Sequence, residues 1–262
     1  MDLFHILAGA VVGFTIGLTG VGGGSLMTPI LVLGFSINPA IAVGTDLLYA
    51  AITKCGGIAA HHRQKTIDWA VVKRLAAGSI PASIITIFFL DQLRESGFDY
   101  EKLMTTTLSI MLILTSVVVI MHKRLLAFLH SSLSEKAHWR QRLINFRPFA
   151  TTLTGFILGI LVTISSVGAG AIGAAILFFL YPRKPAINIV GTDIAHAVPL
   201  TAIAGLGHFH FGSVDLELLG GLLIGSLPAI YLGSHLGQKL PEQFLRPIVA
   251  TILVAMGIRF AF

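Results

Sequence analysis

Of 262 residues, 55% are hydrophobic and only 11% are charged, against about 25% charged in an ordinary soluble domain, so a soluble fold of this length could not cover its apolar surface. The formal charge is +6, but the basic residues gather in short segments between apolar runs. That is the pattern of cytoplasmic membrane loops, which sets nucleic acid aside as a partner and takes the lipid bilayer as one.

The first apolar run begins at Leu3 with no basic leader before it, so it is expected to remain in the protein and not to be removed as a signal peptide. It continues to Phe35, too long for one ordinary span, and Gly22-Gly23-Gly24 lies near its middle. Each glycine weakens a helix by about 1 kcal/mol relative to alanine, so the run is read as two short helices meeting at a break. Three further segments follow, about Pro39 to Ala60, Ala70 to Leu90 and Leu103 to Met121. Each approaches the roughly 20 apolar residues that a helix needs to cross a bilayer. Cys55, the single cysteine, lies in the first of them; no intrachain disulfide or cysteine-rich zinc site is expected. After a basic stretch the pattern returns: a long run from Phe149 to Tyr181 broken by small residues, then Ala186 to Gly207, Leu216 to Leu236 and Phe244 to Phe262.

The return is a repeat. Gly44-Thr45-Asp46 recurs 147 positions later as Gly191-Thr192-Asp193, and at the same offset Ile67-Asp68 matches Val214-Asp215 and Gly78-Ser79-Ile80-Pro81 matches Gly225-Ser226-Leu227-Pro228. Val21-Gly22-Gly23-Gly24 matches Val167-Gly168-Ala169-Gly170 at 146, and Gly13-Phe14 matches Gly155-Phe156 at 142. Loop charges set the orientation. Arg63, Lys65, Lys73 and Arg74 mark one loop as cytoplasmic, while Asp91 to Lys102 holds four acids against two bases and is expected outside. The basic linker from Lys123 to Arg147, the Arg183-Lys184 pair, and Lys239 with Arg246 are cytoplasmic on the same rule, and His208 to Asp215, without Lys or Arg, is external. The matched loops then face opposite sides. The expected fold is an all-α polytopic membrane protein of two inverted repeats, residues 1–122 and 148–262, joined by a cytoplasmic linker loop, 123–147. Each repeat has a broken first helix pair and three further spans, an arrangement common in secondary transporters with sites near the midplane.

Ionisable residues within spans disfavour insertion by at least about 2.5 kcal/mol and so mark functional candidates. Asp46 lies two turns into its helix with Tyr49 and Thr53 on the same face, and Lys54 is rotated from it by roughly 80°. Asp193 and His196, three residues apart, are helical neighbours. Two readings stand for the aspartates and the histidine: structural hydrogen bonding, or proton coupling by Asp46, Asp193 and His196. Lys54 either snorkels towards the cytoplasm or supplies positive charge to an anion. Asp68 and Asp215 precede apolar helices and read as N-caps.

The glycine clusters have two readings as well. Either they pack helices tightly, or the broken helix ends turn backbone N–H groups towards an anion, with Thr19, Ser25, Ser165 and Ser166 as nearby hydroxyls. The substrate-binding candidates are these four residues with Gly22, Gly24, Thr45, Lys54, Gly168, Gly170, Thr192 and His196. Gly20-Val21-Gly22-Gly23-Gly24 is no phosphate loop, because no Gly-Lys-Ser/Thr follows. The histidines at span ends face opposite sides, so no metal site and no cofactor are expected. Neither a Gly-x-Ser-x-Gly elbow nor His-Glu-x-x-His is present, and no catalytic residues are assigned.

Five segments together resemble the TauE/SafE sulfite exporter family, within the toluene-sulfonate uptake permease superfamily: Gly17-Leu18-Thr19-Gly20-Val21-Gly22-Gly23-Gly24, Gly44-Thr45-Asp46-Leu47-Leu48, Thr53-Lys54, Thr66-Ile67-Asp68-Trp69 and Val190-Gly191-Thr192-Asp193-Ile194-Ala195-His196-Ala197. The resemblance implies export or uptake of sulfite, organosulfonates or related small anions across a bacterial inner membrane. One departure from internal symmetry is that the second cluster reads Ser165-Ser166-Val167-Gly168-Ala169-Gly170, so the two breaks need not contribute equally. An anion or solute channel and a structural scaffold are the alternatives.

Overall fold

The computed structural model describes residues 3–19, 24–132, 137–237 and 242–261, and among them ten α-helices and no strand. In chain order they are α1 (Leu3–Thr19), α2 (Gly24–Phe35), α3 (Pro39–Arg63), α4 (Trp69–Glu95), α5 (Tyr100–Ser132), α6 (Ala137–Ser165), α7 (Ala171–Leu180), α8 (Ala186–His210), α9 (Leu216–Gly237) and α10 (Glu242–Ala261). Six of them contain segments long and apolar enough to cross a membrane: 39–63, 69–95, 100–121, 146–165, 186–210 and 216–233. Large apolar side chains such as Phe88, Ile110, Phe149, Leu206 and Ile224 stand exposed on the outside, far more than a soluble surface carries; acyl chains are the solvent they suit. The linker expected as a loop is largely helical, because α5 runs on to Ser132 and α6 begins at Ala137. Residues 123–147 contain neither glycine nor proline to stop a helix.

Both broken pairs turn back on themselves. The Thr151 and Tyr181 hydroxyls share a hydrogen bond of 2.8 Å, joining α6, near the start of its apolar stretch 146–165, to the end of α7. Likewise the His5 ring on α1 lies 5.5 Å from the Phe35 ring at the end of α2. Each pair is therefore a hairpin that penetrates from one end of the bundle and returns to it. The hairpins open at opposite ends. The first shares its end with the loops beside Asn38, whose side chain donates to Glu101 at 2.8 Å, and with Phe211, whose carbonyl accepts from Arg94 at 3.1 Å. The second shares the other end with Asp68, which is ion-paired with Lys184.

Helices of the first half pack chiefly on helices of the second: α1 on α9, α4 on α6, α3 on α8 and α5 on α10. Glycine permits the closest approaches. A Cβ at Gly78 would collide with the backbone of Thr152 and Phe156, and one at Gly225 with that of Ile6 and Ala10. Between helices in lipid, such contact replaces the hydrophobic driving force that water would supply.

The start of α4 yields an expected result. The Asp68 carboxylate accepts from the N–H groups of Ala70 at 3.0 Å and Val71 at 3.2 Å, so it caps the helix while pairing with Lys184. Burial pushes this carboxyl upward, but the Lys184 ammonium and the two N–H groups outweigh it and hold it below its ordinary range. A group depressed in the folded state stabilises the fold above the unfolded value of about 3.9, and that contribution is lost as the pH falls through the folded value. Asp68→Asn, which keeps an oxygen to cap the helix, should lower stability by up to about 1 kcal/mol at neutral pH through loss of the water-screened ion pair. In thermal unfolding in detergent, the gap between parent and variant should close below about pH 4. A gap that is constant with pH would remove the ion pair from the account.

Candidate functional site

α3 and α8 cross antiparallel through the middle of the bundle. Gly44, near the start of α3, backs onto His208 and Ser213, and Gly191, near the start of α8, backs onto His61 and Thr66. At 1.5 Å per residue, Asp46 lies about 10 Å from the start of α3 and Asp193 about 10 Å from the start of α8, at the opposite end. Both are almost fully buried, at 0% and 3% exposure.

The Asp46 carboxylate meets both hairpins. Its Oδ2 accepts from the Thr28 hydroxyl of α2 at 2.5 Å and from Ser166, in the break between α6 and α7, at 3.0 Å. Ser166 adopts the left-handed conformation, φ 59°, with Gly168 at φ 127° and Gly170 at φ 138°. A non-glycine residue held at positive φ is uncommon and strained; here the turn aims the serine hydroxyl at the carboxylate. Lys54 donates its ammonium to the Ala169 carbonyl in the same break at 3.1 Å. It remains within electrostatic reach of both Asp46 and Asp193. Asp193 Oδ1 fills the space that a side chain at Gly173 of α7 would need. His196 shares a 2.8 Å hydrogen bond between its Nε2 and Ser79 Oγ of α4.

Among the described residues, Asp46 Oδ1, Asp193 Oδ1 and His196 Nδ1 have no hydrogen-bond partner. An unsatisfied buried polar atom costs about 1–3 kcal/mol, more when charged. Folded proteins keep few such atoms, and each calls for a reason. With both carboxylates ionised, the centre would hold two negative charges against one positive.

The other sequence candidates fall into two groups. Gly22 lies outside the described residues, as do the side-chain surroundings of Thr19 and Gly24. Thr45 and Thr192 are engaged with backbone: the Thr45 hydroxyl accepts from Asp215 N–H at 3.1 Å and the Thr192 hydroxyl from Asp68 N–H at 3.0 Å. Ser165 stabilises the break locally, donating to the Leu161 carbonyl at 2.7 Å and accepting from Val167 N–H at 3.2 Å, and Ser25 is buried in α2. Asp68 and Asp215 cap α4 and α9 as expected, the latter accepting from Leu218 N–H at 2.9 Å. Sequence reasoning missed Thr28 and Ser79. Ser79 lies in the Gly78-Ser79-Ile80-Pro81 landmark of the repeat, which marks register and not a site, whereas Thr28 carries no signal of its own.

Comparison with known proteins gives the class of this molecule. The family described as Sulfite exporter TauE/SafE matches residues 5–260. "Probable membrane transporter protein YjnA" of Bacillus subtilis is 39% identical over 259 residues, covering 99% of both chains. A "Probable membrane transporter protein" of Methanocaldococcus jannaschii is 30% identical over 273 residues, with 97% of this chain and 92% of its own covered. No solved structure matches. The molecule is a multi-pass membrane transporter. It belongs to the sulfite exporter TauE/SafE family.

Proposed function

We propose that this transporter carries a small anion, sulfite or an organosulfonate, together with protons across the bacterial inner membrane, and that the centre around Lys54 is where the anion binds. The observation that carries the reading is an ammonium held against a strained helix break, within electrostatic reach of two buried carboxylates. An anion approaching the ionised centre meets a net negative charge. Protonation of Asp46 or Asp193 removes that repulsion and frees Lys54 for the anion, so binding of anion and proton favour one another. Ser166, Gly168 and Gly170 shape the break, and His196 adds a polar nitrogen. The family name supports the sulfur anion as substrate class. A carrier of this kind exchanges labelled for unlabelled sulfite across vesicle walls. We expect such counterflow from purified protein in proteoliposomes; flux without counterflow would mean a channel, and no flux a scaffold.

The same reading takes the chain as two inverted repeats, 1–122 and 148–262, with the linker 123–147 on the cytoplasmic side. Contacts exchanged between the halves support it. Thr45 holds the N–H of Asp215 and Thr192 that of Asp68, and Gly44 and Gly191 back onto residues likewise 147 positions apart. In the first helices the contacts favour an offset of 146 over 142, because Gly9 and Gly155 meet Leu222 and Leu75, and Gly13 and Gly159 meet Ser226 and Ser79. A membrane-impermeant label should reach a cysteine placed at Ser96 from outside intact cells and should not reach one in the linker. Labelling of both from one side would refute the inverted arrangement.

A further inference from the structure

We propose that Thr28 is a positioning residue for Asp46, through which the first hairpin sets the pH response of transport; this rests on the reading of Asp46 as a coupling group. A hydroxyl has one proton to donate. Thr53, Thr86 and Thr201 give theirs to carbonyls four residues back in their own helices, the usual habit of a helical threonine. Thr28 instead reaches out of α2 to Asp46 Oδ2, the oxygen that Ser166 of the second hairpin also holds. One oxygen of one carboxylate thus ties both hairpins to α3, and its twin, Oδ1, has no hydrogen-bond partner among the described residues. The two oxygens are therefore unequal. Oδ2 is held as the charge-bearing atom, and Oδ1 is the one free to take a proton. The charged and titratable groups around Asp46 are Lys54 and Tyr49 on its own helix, Asp193 on α8, and, through Lys54, His196. Among the described residues, α2 and the break at 166–170 bring hydroxyls and backbone only.

Removing a donor to the ionised carboxylate disfavours that form. In proteoliposomes, Thr28→Val should shift the Asp46-dependent limb of the sulfite transport profile to higher pH by about one unit, with counterflow at a fixed favourable pH retained within a few-fold. Thr28→Ser should restore the parental profile. Ser166→Ala, which removes the other donor to the same oxygen, should shift the limb in the same direction and provides the test if Thr28→Val does not fold. A purely structural Thr28 would change the amount of active protein and leave the profile where it was. A Thr28→Val profile coinciding with the parent's, while Asp46→Asn flattens the pH dependence, overturns the role of Thr28 alone. An Asp46→Asn profile identical to the parent's overturns this proposal and the coupling reading beneath it.

Discussion

Asp46→Asn and Asp193→Asn should each lower net, proton-driven transport of sulfite by about 100-fold, a loss on the order of that seen when a proton-transferring group is removed. Exchange of sulfite for sulfite should fall far less. The reasoning is steric as much as electrostatic. Asparagine keeps the shape of aspartate and an oxygen to accept from Thr28 and Ser166, so the contact between the hairpins and α3 survives. At Asp193 the amide must fit against Gly173, where the carboxylate already fills the space of a side chain. What asparagine cannot do is take up and release a proton. A step that needs only the closed, neutral centre therefore continues, while one that must return the proton stalls. Counterflow and net flux measured on the same vesicles separate the two. Equal loss of both would point to damaged packing and not to coupling.

Lys54→Met should act on affinity. Methionine preserves the length and apolar body of the lysine stem but removes the one ammonium of the centre. A hydrogen bond to a charged group contributes about 1.5–3 kcal/mol, so the apparent affinity for sulfite should weaken by roughly 10- to 100-fold, with the maximal rate changed much less. Concentration dependence of counterflow reads both quantities. The two aspartates and the lysine are thus distinguished by what they alter, coupling for the former and binding for the latter. A Lys54→Met protein with parental affinity would remove the anion from this centre.

Most of the fold was legible in the sequence because a bilayer leaves few alternatives. Apolar runs of the necessary length had to be helices, and the offset of 147 between Asp46 and Asp193 pairs two helices, α3 and α8, that pack on one another. Whether the broken pairs cross or return was not legible, because that depends on where the chain ends meet. Thr151 with Tyr181 and His5 with Phe35 decide it, pairs that hydropathy does not distinguish from their neighbours. The charge of the linker suggests a loop, but charge alone does not end a helix, and α5 and α6 extend into it. At the site, the ionisable residues Asp46, Lys54, Asp193 and His196 stood out because the membrane makes them costly. Thr28 did not, since a hydroxyl in an apolar helix ordinarily bonds its own backbone and the position 146 residues later holds Ala174. Thr45 and Thr192 adjoin the aspartates in sequence, yet each turns its hydroxyl to a cap on the other half of the molecule.

Proton movement driven by a sulfite gradient tests the central claim most directly. The parental protein would be reconstituted in vesicles containing a pH-sensitive dye, beside protein-free vesicles and the Asp46→Asn/Asp193→Asn double variant. The account predicts that a sulfite gradient moves protons through the parental protein well above the protein-free leak, and that the double variant gives only the leak. Sulfite flux through the parent with no accompanying proton movement, or a parental signal from the double variant, would contradict it.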